Sequence, residues 1–459
     1  MADFVPETTI LALGADFMDA VEAARFPQHV LRFRNDRAAA TVGLDGLDDA
    51  AWVQHFGQFQ PLPGSLTQPL ALRYHGHQFR TYNPDLGDGR GFLFAQCRDT
   101  AGRLMDLGTK GSGTTPYSRF GDGRLTLKGA VREILATEML EALGVNTSRT
   151  FSVIETGEAL TRNDEPSPTR SAVLVRLNPS HIRYGSFQRQ AFHQNREALT
   201  RLVDYCLTHL APEATGPTPV AALVDHAVRG AARLAAQYMA AGFVHGVLNT
   251  DNINITGESF DYGPWRFAPA WDAGFTAAYF DHAGLYAFGR QAEALQWNLF
   301  QLGGALRLIA DVDELKGPLE TYPQRYRAAL SDAMLGRLGV KRLGAQEDEA
   351  LVAAIQAALV ATQMDPDRFF FDWRGGVRRG PSPAEHHYSH DAFTEFLRLV
   401  PNFAVGAPSH SYWADEAPCT MLIDEVEAIW APIAEQDDWA PLHAKIAAIR
   451  RMGEAHRAG

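Results

Sequence analysis

Cysteine is scarce. The 459-residue chain holds three, Cys97, Cys206 and Cys419, far apart and with no CxxC spacing. That disfavours a disulfide framework or a cysteine-built zinc site and leaves Cys419 as a lone thiol. Cationic charge is also in short supply. The chain has 42 Lys and Arg against 54 Asp and Glu, a net −12 at pH 7. Such a balance argues against a protein built to coat nucleic acid or anionic lipid. No apolar run approaches the roughly 18 residues that a membrane span needs. The stretch Met1–Phe17 lacks the basic start of a signal peptide. Internal repeats and low-complexity runs are absent. So are GxxxxGK(S/T), HExxH and GxSxG, which disfavours Walker-type NTPases, zincin proteases and α/β-hydrolases. Hydrophobic residues at 46% and charged residues at 21% sit near the globular average, so neither disorder nor a fibrous fold is expected. The expectation is a soluble, cytoplasmic monomer without nucleic-acid or membrane partners.

Glycine, by contrast, is dense between Tyr74 and about Thr126. The short runs Gly91–Gln96 and Leu104–Thr109 lie between glycine turns and predict strands of a β-rich lobe. Apolar residues at helical spacing predict a helix over Leu127–Leu143, stopped by Gly144. Phe151–Glu155 and Ala172–Leu177 read as paired strands around the loop Gly157–Thr169. Helices follow at Arg196–Leu210 and Val220–Ala241, and helical segments alternate with loops from Gln291 onward. Residues 1–60 read as helix-poor segments and turns. The fold expected is α+β, a β-rich first lobe and an α-rich second lobe with a ligand cleft between them. Residues 1–190 would form the first lobe, 191–345 the second, and 346–459 a helical extension of unassigned role.

The most informative stretch runs from Phe243 through His245-Gly246-Val247-Leu248-Asn249-Thr250-Asp251-Asn252, followed by Asp261-Tyr262-Gly263. Protein-kinase catalytic loops read H-R-D-x-x-x-x-N, with D-F-G downstream. His245 and Asn252 keep that spacing, and Asp261 opens the second motif. An Asn amide oxygen and an Asp carboxylate are hard ligands suited to Mg²⁺ on nucleotide phosphates. The kinase catalytic Asp is replaced by Val247, which accepts no proton, and Asp251 is the nearest substitute. A polar turn between a helix and a hairpin would use many of the same residues.

Lys110 ends one predicted strand and Glu133 lies on the next helix, the way kinases hold a cation over phosphates. Alone, such a pair is common on protein surfaces. The turns Gly87-Asp88-Gly89-Arg90 and Gly121-Asp122-Gly123-Arg124 could admit phosphate or simply close hairpins. Arg176 and Arg183 flank Asn178-Pro179-Ser180-His181 and need anionic partners, either phosphate or a structural carboxylate. His386, His387 and His390 have a weak metal spacing and read as solvated. Tyr74-His75-Gly76-His77-Gln78-Phe79 reads as packing around a turn.

In order along the chain, Tyr74–Phe79, Asn83–Arg90, Asp106–Gly113, Asp122–Glu133, Arg176 with Ser180–Gly185, His245–Asn252, Asp261–Pro264 and Asp281–Phe288 resemble the protein adenylyltransferase SelO family, the selenoprotein O-like pseudokinases. The resemblance spans about residues 70–300. It implies a protein-kinase-like fold that binds ATP flipped, so that AMP passes to a protein Ser, Thr or Tyr hydroxyl and pyrophosphate leaves. It further implies Asp251 as proton acceptor and Mg²⁺, with Mn²⁺ the alternative, on Asn252 and Asp261. Gly87, Gly89, Arg90, Lys110, Asp122, Gly123, Arg176, Arg183 and Asp261 would meet the nucleotide, with Glu133 orienting Lys110. Some members pair cysteines across the loop after the metal Asp; Gly274–Asp281 has none, so no disulfide gate is expected. The residues themselves leave open a kinase that moves the γ-phosphate with Asp251 as base, and a non-catalytic nucleotide-binding scaffold.

Overall fold

The computed structural model describes residues 3–163 and 165–458. Its first part is built from strands β1 (Val5–Glu7), β2 (Met18–Ala20), β3 (Val30–Arg34), β4 (Leu70–Leu72), the hairpin β5 (Gly76–Gln78) and β6 (Thr81–Asn83), β7 (Leu93–Arg98), β8 (Leu104–Lys110), β9 (Leu125–Thr126), β10 (Arg149–Leu160) and β11 (Thr169–Asn178). All but the hairpin join one antiparallel sheet in the order β2-β4-β7-β8-β11-β10-β3, with β1 against β7 and β9 against β11. Every residue of β8 is buried, because the sheet is covered on both faces. On one face Trp52 stacks on Phe151 at 4.9 Å and Phe56 meets the same ring edge-on at 5.2 Å. Such offset and edge-to-face geometry is what aromatic quadrupoles favour.

The other face carries the helix Leu127–Ala142. Thr126 caps its start by accepting from the Gly129 N–H at 3.1 Å. Gly144, at φ +78°, ends it in a backbone conformation that costs glycine least. Ile134, Leu135, Met139 and Leu140 are fully buried along it.

The second part is helical. Its longest helix, Pro219–Ala241, leads through β12 (Phe243–Val244) into the loop that returns at β13 (Arg266–Phe267), and the two short strands pair. Residues 346–458 do not trail away. Their last two helices, Ile423–Gln436 and Ala440–Arg457, fold back onto Leu127–Ala142. Arg450 grips Glu138 with two hydrogen bonds of 2.8 and 2.6 Å. A Cβ on Gly453 would stand 3.1 Å from the Ala142 Cα. The helix that carries Glu133 is therefore clamped from the far end of the chain.

Several expectations needed revision. Residues 3–60 supply three strands, a 3-10 helix at Thr9–Leu13 and two short α-helices, Asp36–Ala40 and Asp49–Phe56. The paired strands reach Arg149–Leu160 and Thr169–Asn178, so their connecting loop is shorter than expected. The stretch 196–210 divides into an α-helix, Arg196–Tyr205, and a π-turn, Cys206–Leu210. Among the described residues, no helix is long and apolar enough to cross a membrane, and the three cysteines are free.

Because Ile134 is fully buried between the sheet and the rest of the core, Ile134→Ala is expected to cost about 2–4 kcal/mol of unfolding free energy. Urea denaturation measures it, and a loss well under 1 kcal/mol would mean that the helix is not packed as described.

Candidate active site

Lys110 is the last residue of β8, and its ammonium lies 2.7 Å from Glu133 Oε2 and 2.9 Å from Asp261 Oδ1. Arg176, on neighbouring β11, approaches the same two carboxylates at 3.7 and 3.5 Å. Buried charges persist only when matched, and this group of four satisfies that condition with residues from the strand, the helix and the second lobe. Burial alone would raise the Asp261 carboxyl. Lys110, Arg176, Arg183 and Arg90 outweigh it and hold the group well below the usual carboxylate range. Asp261 is thus ionised throughout the physiological range. Its φ of +62° is a conformation that Asp tolerates better than most residues.

The loop after β12 is fixed from within. The buried His245 ring donates through Nε2 to the Phe260 carbonyl at 2.9 Å, and burial keeps it neutral. The Asn252 amide donates to the Val247 carbonyl at 3.0 Å, and its own oxygen accepts no hydrogen bond from a described residue. From outside, the β5–β6 hairpin closes on the loop. Phe79 N–H and Tyr286 O–H both donate to Asn249 Oδ1, at 3.0 and 2.7 Å. Thr250 donates to Gln188 at 2.6 Å and accepts from His77 N–H at 2.7 Å. Gly76 sits so close that a Cβ there would be 2.9 Å from Asp251 Oδ1. That oxygen has no hydrogen-bond partner among the described residues. Burial, followed by the opposing pull of Arg183, leaves the Asp251 carboxyl raised to about 6.

These groups open into a cleft of about 690 Å³. Every residue expected to meet nucleotide or metal lines it: Gly87, Gly89, Arg90, Lys110, Asp122, Gly123, Arg176, Arg183, Asp251, Asn252 and Asp261. Glu133 stands behind Lys110, buried at 1% exposure. Arg183 is held at 2.9 Å from the Asp251 carbonyl and 3.1 Å from Asp88, sandwiched between the rings of Tyr74 and Phe260 at 4.3 and 4.9 Å. Arg176 Nε and Nη1 and Arg183 Nε make no hydrogen bond among the described residues. At the mouth, Arg90 and Arg119 make no ion pair among the described residues.

Two local expectations change their cause. A Cβ on Gly87 would fall 2.3 Å from the Tyr117 ring, and one on Gly89 would fall 2.9 Å from the Tyr117 carbonyl. These glycines are demanded by the loop packed over them, whatever they later contact. Asp122 is gripped by Arg162 at 2.8 and 3.1 Å at the rim. Arg162, Tyr74, Gln78, Arg119 and Asn249 were not singled out from the sequence for this cleft. Of these, Tyr74 and Gln78 carry a signal in their histidine-rich run, and Asn249 in the loop from His245 to Asn252. His386 and His390 are exposed, and among the described residues no group of three or more His, Cys, Asp or Glu could hold a metal. Asn252 and Asp261 alone suit a Mg²⁺ that keeps waters and phosphate oxygens as its other ligands.

The family model described as "Protein adenylyltransferase SelO" matches residues 2–450. The chain belongs to that family. The match extends well past the roughly 70–300 legible from motifs. Relatives named "Protein nucleotidyltransferase YdiU" include one from Trichormus variabilis, 42% identical over 97% of this chain and 96% of that protein. Another, from Gloeobacter violaceus, is 43% identical over 97% of this chain and 95% of that protein. A solved structure, ROP2 from Toxoplasma gondii, described as a virulence factor with a protein-kinase fold and no enzymatic activity, aligns over 74% of this chain and 84% of its own. Its identity is 13% and its TM-score 0.24, too loose a superposition to bear on the site.

In this SelO-family chain the Asp251 carboxyl is expected to oppose folding. Its native value near 6 lies above the ordinary 3.8, so the penalty is complete above pH 6 and fades as pH falls towards 3.8. Asp251→Asn is expected to raise the thermal midpoint at pH 7.5, with the gain shrinking to nothing below about pH 4. Calorimetry across that range checks it; an equal or lower midpoint at pH 7.5 would contradict a buried carboxylate with one oxygen left without a hydrogen bond.

Proposed function

We propose that this chain moves the adenylyl group of ATP to a Ser, Thr or Tyr hydroxyl of a protein and releases pyrophosphate. The observation that carries the reading is the interior of the cleft. Lys110, Arg176 and Arg183 are buried there, and three guanidinium nitrogens make no hydrogen bond to a described residue, although Arg176 Nη1 lies 3.5 and 3.7 Å from the Asp261 and Glu133 carboxylates. A nucleobase in that interior would meet charge instead of an apolar wall, whereas a phosphate chain would find matched donors. In this reading the β- and γ-phosphates are the deeper ones and the α-phosphorus faces the Asp251–Asn252 loop. The SelO family match supports the same direction.

In this reading Asp251 accepts the proton of the acceptor hydroxyl. The freed oxygen bonds to the α-phosphorus while the bond to the bridging oxygen breaks and pyrophosphate departs. Lys110, oriented by Glu133, lies with Arg176 and Arg183 against the departing phosphates. Gly87, Gly89, Arg90, Asp122 and Gly123 form the wall along the rest of the nucleotide. Asn252 and Asp261 would hold Mg²⁺, or Mn²⁺, which when bound neutralises charge on the phosphate oxygens. A base near 6 is ionised at neutral pH and still basic enough to take a proton, the compromise general-base catalysis favours.

Label transfer from α- and γ-labelled ATP with Mg²⁺, to the protein itself and to a cell lysate, tests this. Label from the α position alone is expected. Asp261→Ala should abolish it, and Asp251→Asn should slow it about 10²–10⁴-fold. Label from the γ position alone would make the chain a kinase, and binding of ATP with neither label would leave a scaffold.

A further inference from the structure

A second cavity, of about 850 Å³, lies where the end of the helix Leu127–Ala142 meets Pro219–Ala241, Tyr322–Leu338 and Ala440–Arg457. None of its residues lines the first cleft. Its walls include the small apolar side chains Ala232, Ala240, Ala329 and Ala333, and its charge is unevenly settled.

The carboxylates are largely spoken for. Glu141 is held by Arg149 at 2.8 Å and by Arg37, and Asp332 by Arg342. Only Glu213 turns to a residue of the groove, 3.4 Å from His226 Nδ1. The cations are not matched in return. Arg229 and Arg325 share one carboxylate, Asp225. Arg233 and Arg457 make no ion pair among the described residues. Arg337, 7% exposed, uses its terminal nitrogens on the Ala240 carbonyl and Asp367, yet its Nε has no hydrogen-bond partner among the described residues. His226 Nε2 is buried and unpartnered too. The local field is cationic: burial, then Arg374, Arg337 and Arg457, push the His456 ring down to about 3.

We propose that this groove is a second anion site, taking a phosphorylated small molecule of nucleotide size with a flat apolar body. Its volume falls in the range of small-molecule sites. Guanidinium groups match phosphate oxygens in geometry as well as charge, and alanine walls leave a slot that a planar ring can enter. An unpartnered buried N–H is costly, and a phosphate oxygen would satisfy it. In a chain of net charge −12, an unmatched cationic groove is not the surface average.

ADP is the probe, titrated by calorimetry into the full-length protein. Lys110→Ala weakens the first cleft, so that ADP binding which persists in this variant reports on the groove. Adding Arg233→Glu and Arg457→Glu is then expected to weaken that remaining binding at least about tenfold. Both arginines are exposed, so the thermal midpoint should hold. If Lys110→Ala does not fold, Arg90→Glu, at the exposed mouth, takes its place. A cleft-weakened chain that binds no ADP, or binds it equally with and without the two charge reversals, overturns the proposal. Loss of ADP binding on the charge reversals alone, with Lys110→Ala neutral, would keep the groove and count against the cleft reading instead.

Discussion

Two buried charges tolerate each other only while neither is withdrawn, and the contact between Lys110 and Glu133 imposes that condition on the whole molecule. The lysine belongs to the sheet and the glutamate to the helix laid across it. Asp261, which closes the group at 2.9 Å from the lysine, belongs to the second lobe. Withdrawing Lys110 leaves the Glu133 carboxylate, 1% exposed, without its closest counter-charge. The aromatic layer beneath the sheet and the terminal helices on Leu127–Ala142 can be understood as what keeps them in register. Arg450 and Gly453, more than three hundred residues downstream of Glu133, act on the same helix.

What was legible in the sequence was local. The run Leu104–Thr109, the helix from Leu127 and the loop from His245 to Asp261 are defined by residues within a few positions of one another, where periodicity and spacing are informative. The strands in residues 1–60 were not seen because they are three to five residues long. Their pairing depends on partners such as Arg98 and Ser152, far along the chain. The return of the last two helices was hidden for the same reason: nothing in Ala440–Arg457 names Glu138 as its partner. Arg162 lies within the polar loop between two strands, where nothing local marks its grip on Asp122, 40 positions away.

Glycine shows a different limit. The pattern Gly-Asp-Gly-Arg was visible, but a glycine in a pattern does not say what needs the space. At Gly87 and Gly89 the answer is Tyr117, and at Gly76 it is Asp251. The first two shape the wall of the cleft by letting a neighbouring loop settle on them. The third lets the β5–β6 hairpin descend until it shields a carboxylate from water. The histidine-rich run around Gly76 was expected to be packing around a turn. It is packing, and its location makes that packing chemically consequential.

That shielding bears on why Val247 is compatible with a working site. Its carbonyl still holds the Asn252 amide, so the loop keeps its shape without an acid at that position. In the proposed reading the acid's part passes to Asp251, adjacent to Asn252 and under the hairpin. In the open cleft a carboxylate would keep its ordinary low affinity for protons and make a poor base. Under Gly76 it loses solvation, and one oxygen is left without a partner, which destabilises the charged form. Arg183 limits the effect by lying against the same loop, so the value stops near 6 instead of rising out of the useful range. The hairpin and the arginine pull in opposite directions on one group, and the balance between them sets how readily Asp251 can take a proton.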